Sequence, residues 1–202
     1  MYLSLILAGF CVLFFLLQSL IQGFTEQFAL ISVQALVRPW TLITSIFLHG
    51  DLPHLLYNML ALALFGVVLE TIIGKKRFLV LFFGAGILSS LSSAFLYREV
   101  VGASGAIFGI LGALVLLRPR MQVWVYSLPM PMIVAAFVWG VGDIIGLFLP
   151  TGIANLGHLA GLATGLISGV FLRKMFGLRP RRDSPFFLSE KEVETWEDEW
   201  MK

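Results

Sequence analysis

The sequence predicts an all-α polytopic membrane protein, a bundle of six spanning helices with both termini on the cytoplasmic side. Three observations carry that prediction. Of 202 residues, 58% are hydrophobic and 13% charged, and the mean hydropathy is +0.92; soluble domains carry about 25% charged residues. The apolar residues fall into six runs, most of them long enough to cross roughly 30 Å of hydrocarbon at about 1.5 Å per residue. Finally, 12 of the 14 Lys and Arg lie in one alternating set of connections.

In chain order, the first run covers residues 3–23. It lacks a basic leader region and a small-x-small cleavage site, so it reads as a retained helix and not as a signal peptide. Its Cys11, the single cysteine, excludes an intrachain disulfide and reads as a packing residue. Residues 24–51 are too apolar for a free loop, with Phe28, Leu30, Ile31, Leu36, Trp40, Ile46 and Phe47. They are expected to lie in the interface as short amphipathic helix, with Trp40 near headgroup level. The remaining spans are 52–73, 78–96, 102–117, 131–149 and 155–171. Residues 121–130, with Pro129 in them and Pro131 behind, are expected to lie flat before the fifth span.

Charge sets the orientation. Lys75, Lys76, Arg77, Arg118, Arg120 and the basic residues from Arg173 onward share one side; Arg38 and Arg98 alone lie opposite. A basic excess marks the cytoplasmic face. Glu70, near Lys75 and Arg77, reads as an ion-pair partner. Residues 1–175 form the expected membrane domain, and 176–202 a cytoplasmic tail. The five basic residues of 173–182 suit anionic headgroups. Farther on, Ser189 with Glu192 resembles a capping box, and Trp196 and Trp200 share a helical face. A short amphipathic helix and a solvated tail are both consistent with that composition.

This topology brings scattered polar residues to one depth. The second, fourth and sixth spans run from outside to inside. His54 and Asn58 lie in the first turns of the second, Ser104 begins the fourth, and His158 begins the sixth. The fourth run is short, roughly 24 Å of helix, so Ser104 lies below the outer surface in what must be a watered cavity. Small residues recur every four positions in the fourth span (Gly105, Gly109, Ala113, with Gly102 just before) and in the sixth (Gly157, Gly161, Gly165, Gly169). Facing stripes of this kind let helix backbones approach closely, which would bring Ser104 to His158.

A serine hydroxyl needs a neighbouring base to become a nucleophile, and histidine suits that work near neutral pH. Ser104 and His158 are therefore the candidate catalytic pair. Acyl transfer also needs donors for a developing oxyanion. His54 and Asn58, on one helix face, and the Ser104 amide at a helix start can supply them. Asp143, near the outer end of the fifth span, is the nearest carboxylate, but a Ser–His dyad is the simpler reading and leaves it without a role. Asp51 and Pro53 read as marks of a helix start.

These residues resemble the rhomboid family of intramembrane serine proteases. The resemblance covers about residues 38–173 and rests on three motifs: His49-Gly50-Asp51-Leu52-Pro53-His54-Leu55-Leu56-Tyr57-Asn58-Met59, Gly102-Ala103-Ser104-Gly105, and Gly157-His158-Leu159-Ala160-Gly161. It implies a six-helix rhomboid-like bundle, a Ser104–His158 dyad, and an oxyanion hole from His54, Asn58 and the Ser104 amide. It further implies single-span membrane proteins as substrates, a first loop packed sideways into the bilayer, and a fifth helix acting as a lateral gate. One departure stands out. Many members carry Trp-Arg in the first loop, whereas here Trp40 is followed by Thr41 and Arg38 comes two residues earlier, which puts that loop's hydrogen bonding in question.

Other classes fit less well. A catalytically silent rhomboid-like client-binding protein would typically lack the serine or the histidine. A transporter would need a matching inner polar ladder or paired broken helices. The serine sequence Gly-Ala-Ser-Gly-Ala, with no strand before it, excludes the soluble-hydrolase elbow. Three histidines without clustered carboxylates or cysteines imply no metal site, and no cofactor is expected. The basic residues track the membrane face, so the partners expected are substrates and lipids, not nucleic acid; no particular oligomeric state follows. Without targeting or glycosylation features, a prokaryotic plasma membrane is the expected location.

Overall fold

Apolar side chains in apolar surroundings leave backbone amides little choice of acceptor except their own helix. The computed structural model, which describes residues 1–125, 127–150 and 152–176, is accordingly mostly helical. In order come α1 (Leu3–Leu20), two short helices α2 (Phe24–Phe28) and α3 (Thr41–Thr44), α4 (Leu52–Ile73), α5 (Lys75–Ser93), α6 (Ser104–Leu117), α7 (Met132–Gly146) and α8 (Asn155–Met175). Among the described residues, four helices (α1, α4, α5 and α8) are long and apolar enough to cross a membrane. α6 and α7 are apolar but only 14 and 15 residues long. The capping box at Ser189 and the Trp196–Trp200 face lie outside the described residues.

The all-α expectation needs one correction. Two antiparallel ribbons join the helices: β1 (Leu30–Ile31) with β2 (Glu99–Val100), and β3 (Gln122–Val125) with β4 (Leu128–Pro131). The second ribbon occupies the stretch expected to lie flat. Its sequence alternates, with Val123 and Val125 buried and Gln122 and Trp124 exposed, the period-two pattern of a half-buried strand. Ser127, at φ 66°, makes the turn. The first ribbon registers Leu30 opposite Val100 and ties the first loop to the approach to α6.

The helix boundaries have local causes. Asp51 caps α4, its Oδ1 accepting the His54 amide at 2.7 Å, with Pro53 in the first turn. A π turn at Leu62–Gly66 interrupts α4 where Gly66 lets Ser4 of α1 approach: a Cβ there would lie 2.8 Å from Ser4 Cβ. Gly74, at φ +79°, breaks the chain sharply. α5 therefore begins at Lys75, three residues before the predicted start. Its basic first turn extends the helix beyond the apolar run, as long cationic side chains allow.

Glu70 is not the predicted ion-pair partner of Lys75 and Arg77. Its two oxygens accept the Leu3 and Ser4 amides, each at 2.9 Å, so it caps the start of α1 from another helix. Those are orphan donors of a helix N-terminus, and a buried carboxylate satisfies both. Arg77 instead donates to the Ile73 carbonyl and lies 5.2 Å from the Phe176 ring centre. In the first loop, Arg38 resolves the question raised by the missing Trp-Arg. Its guanidinium donates to the Glu26 and Gln27 carbonyls and to the Gln34 and Gln27 side chains, and lies over Trp40.

Candidate active site

The site begins where β2 feeds α6. Gly102 has φ 124°, a conformation open mainly to glycine, and its amide donates to the Ser45 carbonyl at 2.9 Å. That turn delivers Ser104 to the first position of α6, where backbone amides have no carbonyl in the helix to accept them. A Cβ on Gly102 would lie 2.8 Å from both Cε1 and Nε2 of His54 and 3.8 Å from Ser104 Oγ. Gly102 thus holds the His54 ring beside the serine.

The other half arrives through helix packing. Cβ atoms placed on Gly161 and Gly165 of α8 would overlap the Gly105 and Gly109 carbonyl oxygens of α6. The two small-residue stripes therefore face each other, as their spacing predicts. A third participant was not evident in the sequence: Ser89 and Ser93 of α5 fill the space beside Gly105 and Gly157. With three backbones this close, His158 Nε2 lies 2.8 Å from Ser104 Oγ.

Two further groups fix His158. Phe108, one turn along α6 from Ser104, stacks on the imidazole with ring centres 4.4 Å apart and planes inclined by 7°. Asp143 of α7, left without a role by the sequence, places Oδ1 2.9 Å from His158 Nδ1. Only 14% of the His158 side chain and 7% of the Asp143 side chain are exposed. Phe108 carried a usable signal, an aromatic at i+4 from the serine. Asp143 carried none that linear spacing could reveal, because the packing of α7 against α8 decides what it meets. Gly146 leaves room for Asn155, whose side chain would meet a Cβ there at 2.6 Å.

His54 and Asn58 occupy one face of α4 next to this group. The Gly50 amide approaches His54 Nδ1 at 3.4 Å. An accepting Nδ1 leaves the proton of the neutral ring on Nε2, the nitrogen directed toward Gly102 and Ser104. Asn58 is buried and gives one amide hydrogen to the His54 carbonyl at 2.8 Å; its second remains a donor. Tyr97, in the loop before β2, accepts the Leu156 amide on its hydroxyl at 3.3 Å and so helps seat the start of α8.

A serine, an imidazole and a carboxylate thus lie in line, with a histidine and an asparagine on the neighbouring helix face, within a bundle of apolar helices. Residues 37–175 match the Rhomboid domain family. Over 134 residues the chain is 36% identical to the putative rhomboid protease YdcA of Bacillus subtilis, covering 63% of this chain and 64% of that protein. It is 36% identical over 136 residues to rhomboid protease GluP of the same bacterium, covering 66% and 26%. To RHOMBOID-like protein 4 of Arabidopsis thaliana it is 35% identical over 150 residues, covering 72% and 38%. The chain thus spans between about a quarter and just under two thirds of the length of these relatives. It belongs to the rhomboid family and is a multi-pass integral membrane protein.

Proposed function

We propose that the chain is an intramembrane serine endopeptidase that cleaves within or beside the spans of single-span membrane proteins. The observation that carries this reading is the 2.8 Å contact between Ser104 Oγ and His158 Nε2 inside the helical bundle. Protease-named relatives support it. In the membrane, residues 1–175 act as one domain of six spans. α6 and α7 serve as short spans, and both termini face the cytoplasm, the basic side. On this reading, with α6 and α7 only 14 and 15 residues long, the site lies below the outer surface in a water-filled recess. The first loop, whose Val33, Leu36 and Val37 are strongly exposed, contacts lipid.

The chemistry is acyl transfer. Ser104 Oγ attacks the scissile carbonyl carbon while its proton passes to His158 Nε2. The resulting oxyanion takes hydrogen bonds from the Ser104 amide, His54 Nε2–H and Asn58 Nδ2–H. The C–N bond then breaks as Nε2 returns the proton to the leaving amine, and Ser104 carries the acyl group. Water, deprotonated by Nε2, attacks the ester and releases the acid, and Ser104 regains its proton. A bacterial plasma membrane is the location we favour.

A fluorescent fluorophosphonate, applied to the purified protein with Ser104→Ala and His158→Ala in parallel, tests the proposal. Labelling of the wild type and of neither variant is the expected result, together with cleavage of a reconstituted single-span substrate by the wild type only. Substrate turnover by Ser104→Ala would refute it.

A further inference from the structure

The small-residue stripe of α8 stops at Gly169. The next position at its four-residue spacing is Arg173, too large for backbone contact, so the close approach of α6 and α8 ends there. Just beyond Gly169, where an added Cβ would lie 2.9 Å from Leu116 Cβ, a groove of about 340 Å³ opens. Leu116 of α6 lines it, with Val170, Arg173 and Lys174 of α8. The three α8 residues stand at i, i+3 and i+4 and share one face of the helix. This end of the bundle is remote from the active site: from Ser104 to Leu116 is roughly 18 Å along α6.

We propose that the groove binds one anionic phospholipid, its phosphate held by Arg173 and Lys174 and an acyl chain laid against Leu116 and Val170. The leaflet, the cytoplasmic one, rests on the reading above. Charge selects the headgroup. Arg118 and Arg120, both exposed, follow Leu116 closely in the chain. Among the described residues, Glu70 is the one carboxylate on this basic side, and it is buried with its oxygens on the Leu3 and Ser4 amides. No exposed carboxylate among them competes for the groove. A helix C-terminus favours cations in its last turn, but that preference calls for no apolar recess beside them. A phospholipid matches both parts, with a phosphate for the two cations and a chain for the two aliphatic walls. The acidic stretch 183–202 matches only the cations, since peptide backbone pressed against Leu116 and Val170 would give up water without gaining a partner.

Native mass spectrometry of the full-length protein in detergent, titrated with phosphatidylglycerol, phosphatidylcholine or inorganic phosphate, tests the proposal. One phosphatidylglycerol is expected to bind first, about tenfold or more tighter than phosphatidylcholine, and to raise the thermal midpoint. Phosphate alone should do neither. Arg173→Gln combined with Lys174→Gln should weaken that first site about 25-fold, roughly fivefold for each charge. Val170 is 42% exposed, so Val170→Trp fills the groove from its open side, keeps both cations and should also lose the site. Lys75→Gln combined with Lys76→Gln removes equal charge elsewhere on this side and should leave the site unchanged. Equal affinity for the two lipids, unchanged binding in a folded Val170→Trp, or an equal loss in the Lys75 and Lys76 pair would overturn the proposal in favour of general surface charge. Phosphate binding as tight as phosphatidylglycerol would replace the lipid with a free anion, and tighter lipid binding after deletion of 183–202 would make the acidic stretch the occupant; either result overturns it. If Val170→Trp does not fold, the two charge pairs decide. The lipid site and the protease fail separately: Ser104→Ala should bind phosphatidylglycerol as the wild type does, and its substrate turnover, not its lipid binding, judges the protease.

Discussion

Substitution of Gly161 by alanine probes the packing that makes the site. The added methyl would overlap the Gly105 carbonyl oxygen and lie 3.0 Å from its carbon and 3.3 Å from its Cα. Carbon atoms settle at about 3.5–4.0 Å, and the obstacle is helix backbone, which has no rotamer to escape into. α6 and α8 must therefore part by roughly 0.5–1 Å. Ser104 Oγ and His158 Nε2, now at 2.8 Å, would separate beyond the usual 2.7–3.2 Å range. Overpacking of this kind costs about 1–3 kcal/mol, offset in part by the about 0.5–1 kcal/mol that alanine gains over glycine in a helix. A displacement near 1 Å costs about 10²-fold in rate. Substrate turnover in liposomes should thus fall by one to two orders of magnitude, with a lowered thermal midpoint in detergent. Gly84→Ala in α5, where a Cβ meets nothing within 4 Å, is the matched control and should leave turnover unchanged. Wild-type turnover and midpoint in Gly161→Ala would refute the claim that backbone contact sets the catalytic distance.

Other outcomes follow from the same geometry. Glu70→Gln leaves one oxygen for two amides and sets an NH₂ group against a donor; a stability loss of about 1–3 kcal/mol is expected, read by thermal unfolding, with the chemistry at Ser104 intact. Phe108→Ala removes the stacked face from His158 and should reduce kcat more than KM, checked by steady-state cleavage. Burial, reinforced by the neighbouring His54, lowers His49 to about 4, so its contribution to stability is complete above about pH 6.5 and declines as pH falls toward 4. The expected loss is about 2 kcal/mol at pH 5, measured as a midpoint shift, and His49→Gln should flatten that dependence. Arg38→Lys replaces a fork that reaches two carbonyls and two side-chain oxygens with a single point charge, and should raise protease sensitivity in the first loop.

Much of this molecule is legible along the chain. Apolar runs locate the four long helices and the two shorter ones, α6 and α7, to within a few residues, because backbone without water has to bond within its own segment. Four-residue spacing of small residues foretells which faces of α6 and α8 meet. The period-two signal at Val123 and Val125 was also present, but it is easily overlooked in a generally apolar stretch. What failed at Glu70 was the choice of partner. Nearness in sequence to Lys75 and Arg77 suggested an ion pair, while the fold brings the start of α1, more than sixty residues away, onto both carboxylate oxygens.

Asp143 marks the boundary most clearly. Sequence by itself determined the helix class of the chain and singled out Ser104, His158, His54 and Asn58 as candidates, because composition, charge segregation and residue spacing are local quantities. The tertiary structure decided the distances. Backbone contact through glycine brings His158 to Ser104, Phe108 stacks on the ring, and the packing of α7 on α8 sets a carboxylate against Nδ1. Hydrogen bonds require placement to a few tenths of an ångström, and only packing between elements distant in sequence fixes positions that closely.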